Sequence, residues 1–81
     1  MKHLFYFLGL LILTGCSEQA SEEGDLLYEA GDFEQAIRSY TEYLELNPTN
    51  IKTLYNRGRA YEELELFELA FKDFVSVPSK E

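Results

Sequence analysis

The sequence predicts an all-α protein of antiparallel helix–turn–helix repeats, about two units forming an α–α superhelix, preceded by a short export segment. Three observations predict this fold. An apolar run without charged residues, 4–13, follows the N-terminus. The rest of the chain, compared with itself at an offset of 34 residues, aligns glycine with glycine and aromatic with aromatic residues. Within each period, apolar residues recur every three or four positions, which is the spacing of one helix face.

The apolar segment has the length and flanks of a signal peptide. Ten residues at ~1.5 Å rise each cover roughly half of a ~30 Å hydrocarbon core, and Lys2 supplies the positive start. The segment ends in LTGC, residues 13–16, which resembles the lipobox of bacterial lipoproteins. The resemblance implies that the sulfur of Cys16 carries a diacylglyceryl group, that cleavage follows Gly15, and that residues 1–15 are removed as a lipoprotein signal peptide.

Lipid on Cys16 would anchor the protein to a membrane of the cell envelope. Two or three acyl chains, at about 0.8 kcal/mol per buried CH₂, hold a protein stably where one chain does not. In the enteric sorting pattern, Asp after the cysteine favours the inner membrane. Ser17 therefore favours the outer membrane where the organism has one, and otherwise the outer face of the cytoplasmic membrane. An ordinary signal peptide with an incidental cysteine is the alternative. Residues 16–22 are expected to be the lipidated cysteine and a short tether.

Charge and residue content exclude several classes of function. All 15 acidic residues follow Cys16, so a nucleic-acid partner is not expected, because phosphate binding needs a basic surface. The single histidine, His3, would be removed with the signal segment, and the single cysteine would carry lipid. A nucleophile–base pair or a His/Cys metal site then has no residues to form it. We therefore expect neither an enzyme nor a bound cofactor.

Local signals set the ends of the helices. Gly31 and Asp32 form a short turn. Pro48 ends a helix, and Thr49 or Asn50 caps the next one. Four helices are predicted, at about residues 18–30, 34–46, 51–64 and 67–76.

Small and aromatic residues recur at matching places in the two periods. Gly24 and Gly58 fall inside predicted helices, where glycine costs about 1 kcal/mol relative to alanine. A neighbouring helix is therefore expected to approach closely there, with Ala36 and Ala70 at the contact. The pattern resembles the tetratricopeptide repeat (TPR), a helix–turn–helix unit of 34 residues. The resemblance implies two units, 23–50 (its first helix beginning near 18) and 51–78, a tail at 79–81, and packing by Gly24, Leu27, Ala36, Tyr40, Gly58, Tyr61, Ala70 and Phe74.

The resemblance to TPR proteins also implies a concave groove that binds a protein or peptide, lined by the first helix of each unit. Some members hold a C-terminal carboxylate with a clamp of Lys, Asn and Arg. Asn56 matches one clamp position, but Ser21 and Asp25 occupy two others, and the Asp25 carboxylate would repel such a ligand. A different ligand is therefore expected. Residues 17–50 are strongly acidic, so a basic ligand would be attracted to the first unit. The predicted groove residues are Asp25, Tyr28, Lys52, Tyr55, Asn56, Arg59 and Glu63, and the alternative is that they only face solvent.

Some positions depart from the TPR pattern. Glu23 and Arg57 are charged where the family has apolar residues, and Glu65 stands where the first unit has its turn glycine. Repeat proteins usually need three or more units. The helix within 67–77 is therefore expected to self-associate or dock on a partner, unless the sequence is the N-terminal fragment of a longer TPR lipoprotein.

The predicted function is a membrane-anchored, non-catalytic adaptor that mediates protein–protein interaction. One enzymatic alternative remains, a small envelope hydrolase that uses two carboxylates from among Glu62, Glu63 and Glu65. The competing interpretation of those three residues is the solvated face of a helix.

Overall fold

Four antiparallel helices make up the part of the chain that the computed structural model describes, residues 16–77. No strand occurs in that range. The predicted signal segment with Gly15 lies outside it, as do residues 78–81. Every helix boundary falls within two residues of its predicted place. The helices are α1 (Cys16–Glu29), α2 (Phe33–Leu46), α3 (Ile51–Glu63) and α4 (Phe67–Ser76).

Helix α1 is longer at its N-terminus than predicted. It begins at Cys16, so residues 16–22, predicted as the lipidated cysteine and tether, are helical in the structure. The segment contains Glu, Gln and Ala, which favour helix, and it has neither Gly nor Pro before Gly24. None of the helices between residues 16 and 77 has the length and apolarity needed to cross a membrane.

The turns inside the two units share one geometry. Gly31 has a φ of 83° and Glu65, one period later, has a φ of 62°, so both adopt the left-handed conformation. In each turn the next residue donates its N–H to the carbonyl five residues earlier, at 2.9 Å. This bond pattern closes a helix C-terminus as a Schellman motif. The second turn therefore keeps the geometry of the first although it lacks the glycine that favours it.

The connection between the units is fixed by two asparagines. Asn50 is the cap of α3, because its Oδ1 accepts from the backbone N–H of Thr53 at 2.9 Å and from the Thr53 hydroxyl at 2.8 Å. Asn47 closes α2, with its backbone N–H donating to the Tyr43 carbonyl at 3.0 Å. Of the two predicted caps, Asn50 is therefore the one used.

The two helix glycines make room for aromatic rings. A Cβ at Gly24 would lie 2.5 Å from Cε1 of Tyr40, and a Cβ at Gly58 would lie 2.5 Å from Cε1 of Phe74. The predicted close approach is therefore present, and the atoms nearest to each glycine belong to the aromatic ring. The buried apolar residues are Ala36, Tyr40, Leu44, Leu54, Ala60 and Ala70.

Candidate functional site

A pocket of about 260 Å³, open to solvent, lies where the first three helices meet. Helix α1 contributes two carboxylates and a phenol, α2 contributes a second phenol, and α3 contributes an amide and a guanidinium. The lining residues are Asp25, Tyr28, Glu29, Tyr40, Asn56 and Arg59.

Asp25 joins the three helices at this pocket. Its Oδ1 accepts a hydrogen bond from the Tyr40 hydroxyl at 2.6 Å and another from the Asn56 side-chain amide at 3.3 Å. Burial, and then the contact with Asp25, raise the pKa of Tyr40 well above its ordinary value, so the phenol stays protonated and donates. Within residues 16–77 both hydrogen bonds to Asp25 use Oδ1, which leaves Oδ2 for a ligand.

Arg59 lies beside two aromatic rings at the mouth of the pocket. Its guanidinium carbon is 5.7 Å from the centre of the Tyr28 ring and 6.0 Å from that of Tyr55. Cation–π contacts of this kind contribute about 0.5–1 kcal/mol at exposed sites. The Tyr28 hydroxyl is buried and has no hydrogen-bond partner within the described part of the chain. A buried hydroxyl without a partner costs about 1–3 kcal/mol.

Four of the seven predicted groove residues line this pocket, namely Asp25, Tyr28, Asn56 and Arg59. Tyr55 lies instead in a neighbouring pocket, which it shares with Arg59.

Lys52 and Glu63, the other two predicted groove residues, do not line this pocket. Both are exposed near the two ends of α3, whereas the pocket opens beside the middle of that helix. Sequence reasoning missed Glu29 and assigned Tyr40 to packing alone. A tyrosine on a buried face was the available signal for Tyr40, because its hydroxyl needs a polar partner there.

A second polar cluster lies on another face of α3. Nε and Nη2 of Arg57 donate to the two carboxylate oxygens of Asp73 at 2.8 Å each, and Nη1 donates to the Thr41 hydroxyl at 3.1 Å. The hydrogen bonds to Asp73 raise the pKa of Arg57, although burial acts in the opposite direction. Asp73 is only 5% exposed. This two-pronged pair connects α2, α3 and α4 and has a structural role.

The carboxylates of the hydrolase alternative are all at the surface. Glu62, Glu63 and Glu65 are exposed around the C-terminus of α3, which favours the solvated-face interpretation. Within residues 16–77 no group of three or more His, Cys, Asp or Glu side chains is arranged to hold a metal ion.

The family model of the TPR repeat matches residues 24–64, half of the chain. The chain belongs to the TPR family. The matched segment begins at Gly24, under the Tyr40 ring, and ends after α3, so it contains all the residues that line the pocket. TPR repeats are generally non-catalytic interaction modules, and membership therefore indicates a role in protein–protein interaction.

Similar proteins are much longer than this one. Hsp70-Hsp90 organizing protein 3 of Arabidopsis thaliana is 35% identical over 57 residues, which cover 70% of this chain and 10% of that protein. Mitochondrial import receptor subunit TOM70 of Homo sapiens is 36% identical over 62 residues, with the same two coverages. Hsp70-Hsp90 organizing protein 1 of Glycine max is 42% identical over 52 residues, covering 64% of this chain and 9% of that protein. The chain thus spans about a tenth of these relatives and resembles a repeat segment of each.

Proposed function

We propose that this TPR protein is a lipid-anchored adaptor of the bacterial cell envelope, and that it binds a partner protein at the pocket between α1 and α3. The observation that carries the binding proposal is the pocket, in which three helices bring Asp25, Tyr28, Asn56 and Arg59 together around one opening. The family membership and the organizing and receptor roles in the relatives' names support a protein as the ligand.

The size of the pocket favours a side chain of a longer segment over a free small molecule. Small-molecule sites usually enclose about 300–1,000 Å³ and bury most of their ligand. This pocket is smaller, at about 260 Å³, and open to solvent. One or two side chains of a peptide would fill it while the rest of the segment ran along the exposed surfaces of α1 and α3.

The charges around the pocket favour a basic group on the α1 side. Asp25 and Glu29 stand on α1, and Arg59 stands on α3. A Lys or Arg side chain would meet Oδ2 of Asp25, and an acidic or amide group further along the segment would meet Arg59. The acidic excess of residues 17–50 would attract the same basic ligand from a distance.

Charge reversal on α3 tests the binding proposal. Arg59→Glu is compared with Arg38→Glu, because both residues are exposed arginines, Arg38 lies on α2, and only Arg59 lines the pocket. The full-length proteins are crosslinked in cells, purified and analysed by mass spectrometry. We expect the wild type and Arg38→Glu to capture the same envelope protein, with the crosslinks on α1 and α3, and Arg59→Glu to lose it. Equal capture by all three would contradict the proposal.

The anchor is tested at Cys16, the single cysteine of the chain. In cells fed an alkyne-labelled fatty acid, we expect the wild type to carry label and to sediment with membranes. Cys16→Ala should lose the label and move to the soluble fraction, whereas Ser17→Ala should keep both properties. Ser17→Asp should shift the labelled protein towards the inner membrane in a host that has two membranes. Membrane retention of unlabelled Cys16→Ala would exclude the lipid anchor.

A further inference from the structure

Helix α4 carries an uncovered apolar stripe. Phe67 is 62% exposed, Phe71 is 67% exposed and Val75 is 59% exposed, and their spacing of four places them on one face of the helix. Together these three side chains leave roughly 350 Å² of apolar surface in water. The largest apolar patch on a monomeric protein, about 300–600 Å², often serves an interaction, and this patch is of that size.

The first unit shows which kind of structure covers this face. One period before the α4 stripe, α2 carries Phe33, Ile37 and Thr41, and all three are partly buried. Phe33 packs edge-on against Tyr28 of its own unit, with the ring centres 5.1 Å apart. Helix α3 contacts the Thr41 end of this face, since Arg57 donates to the Thr41 hydroxyl. The end of the α4 face around Val75 therefore fits a helix, and within residues 16–77 none lies on it.

We propose that the stripe of α4 binds the same stripe on a second copy of the protein, with the two helices antiparallel about a two-fold axis. Glu68 and Lys72 flank the stripe and are both exposed. In the antiparallel pair, Glu68 of each copy lies level with Lys72 of the other, so two opposite-charge contacts form. A two-fold contact is also closed, which limits assembly to a dimer.

The charge distribution favours this pairing. The acidic excess lies in residues 17–50, whereas residues 51–81 are nearly balanced in charge. A contact through α4 therefore brings together the least acidic part of each copy, and repulsion between copies is smallest there.

Head-to-tail stacking fits this face less well. In such a stack, α1 of a second copy would take the place that α3 has on α2. Glu23, one period before Arg57, would then meet Val75, one period after Thr41. A carboxylate without a partner would be pressed against an apolar side chain, which is unfavourable.

The size of the interface predicts a weak dimer. The two stripes together bury roughly 700 Å², which is below the size of stable specific interfaces. Association is therefore expected at high local concentration, such as that of molecules confined to one membrane. The dimer needs neither the binding pocket nor its ligand.

Energy transfer between labelled copies tests the dimer. Two full-length lipidated populations with different fluorophores are placed in phosphatidylcholine vesicles at decreasing protein-to-lipid ratios. We expect wild-type transfer above the level of randomly distributed molecules, and at least about tenfold weaker association for Phe71→Glu. Leu26→Glu changes an equally exposed residue on α1, 71% exposed, and should behave as the wild type.

Charge exchange identifies the second copy as the occupant. Glu68→Lys alone and Lys72→Glu alone should each weaken association about tenfold, because like charges then face each other twice. Mixing the two variants should restore it, because every contact between them again joins opposite charges. The proposal would be overturned if energy transfer in the wild type were only that of randomly distributed molecules, or if the mixed variants associated no more strongly than either variant alone. The α4 face would then bind another protein, a further helix or the bilayer. Sedimentation at high concentration gives the same comparison for unlipidated full-length protein, so failure of the anchor would not hide the result.

Discussion

Replacing Glu65 with glycine is expected to stabilise the protein. Glu65 has a φ of 62° at the end of α3, where Gly31 of the first unit has a φ of 83°. An L-residue in the left-handed region is strained by contact of its Cβ with the following carbonyl oxygen, which costs roughly 1–2 kcal/mol. Glycine has no Cβ and adopts this conformation without that strain. The side chain of Glu65 is exposed, so little packing is lost with it.

The gain is smaller than the strain, because glycine also makes the unfolded chain more flexible. That effect favours the unfolded state by about 0.4–1 kcal/mol. The difference predicts a rise of about 0.5–1 kcal/mol in the free energy of unfolding. For a domain of this size, the rise corresponds to roughly 2–8 °C in melting temperature.

Thermal and urea unfolding followed by far-UV circular dichroism measure the change. Glu65→Ala is the matched control: it removes the carboxylate and keeps the Cβ, so it should leave the melting temperature within about 1 °C of the wild type. Gly31→Ala should destabilise by about 1 kcal/mol, because it introduces into the first turn the strain that the second turn already has. If Glu65→Gly were no more stable than Glu65→Ala, the strain assigned to this turn would be refuted.

Three further predictions concern the packing of the helices. In urea titrations, Asp73→Ala should lower the free energy of unfolding by about 2–3 kcal/mol, because it leaves Arg57 partly buried without its partner. The double variant Arg57→Met/Asp73→Leu should recover most of that loss. By the same measurement, Gly24→Ala should lower the free energy of unfolding by about 1–2 kcal/mol. The added Cβ falls 2.5 Å from the Tyr40 ring, and this clash exceeds the gain in helix propensity. An unchanged free energy of unfolding would contradict the contact. Because the pKa of Tyr40 is higher in the folded than in the unfolded state, its contribution to stability is fully present below about pH 10 and is lost as pH rises through the folded value. Above pH 10 the free energy of unfolding of the wild type should therefore fall faster than that of Tyr40→Phe, by up to about 1.4 kcal/mol per pH unit. If the two free energies fell in parallel with rising pH, the raised pKa of Tyr40 would be excluded.

The sequence predicts the helices of this protein well because the determining signals are local. Gly31 and Pro48 mark chain reversals whatever the rest of the chain does, and the three-to-four residue spacing defines the buried face of each helix. The period of 34 residues then relates the two units. These signals need no knowledge of distant contacts, and they place all four helices within two residues of their positions in the structure.

The polar contacts between helices were not predictable in the same way. Arg57 was visible in the sequence only as a charge on an apolar stripe, and its partner Asp73 lies 16 residues away on another helix. The bond from Asn56 to Asp25 spans 31 residues. Such pairs depend on the rotation of each helix about its axis. That rotation is set by the packing of the glycines under the rings, and the spacing of apolar residues within one helix does not predict it.

The two units keep the same packing and differ at the pocket in a correlated way. Tyr40 and Phe74 occupy the same place one period apart, and each ring covers a glycine. In the first unit the tyrosine hydroxyl donates to Asp25. In the second unit the residue equivalent to Asp25 is Arg59, which needs no donor and instead lies near the faces of two aromatic rings. A phenylalanine therefore suffices beneath it. The loss of the hydroxyl and the change from carboxylate to guanidinium thus have one physical explanation. Because of these two differences, the pocket has opposite charges on its two walls. A peptide segment with a basic group at one end and an acidic group at the other would therefore bind across α1 and α3 in one direction only.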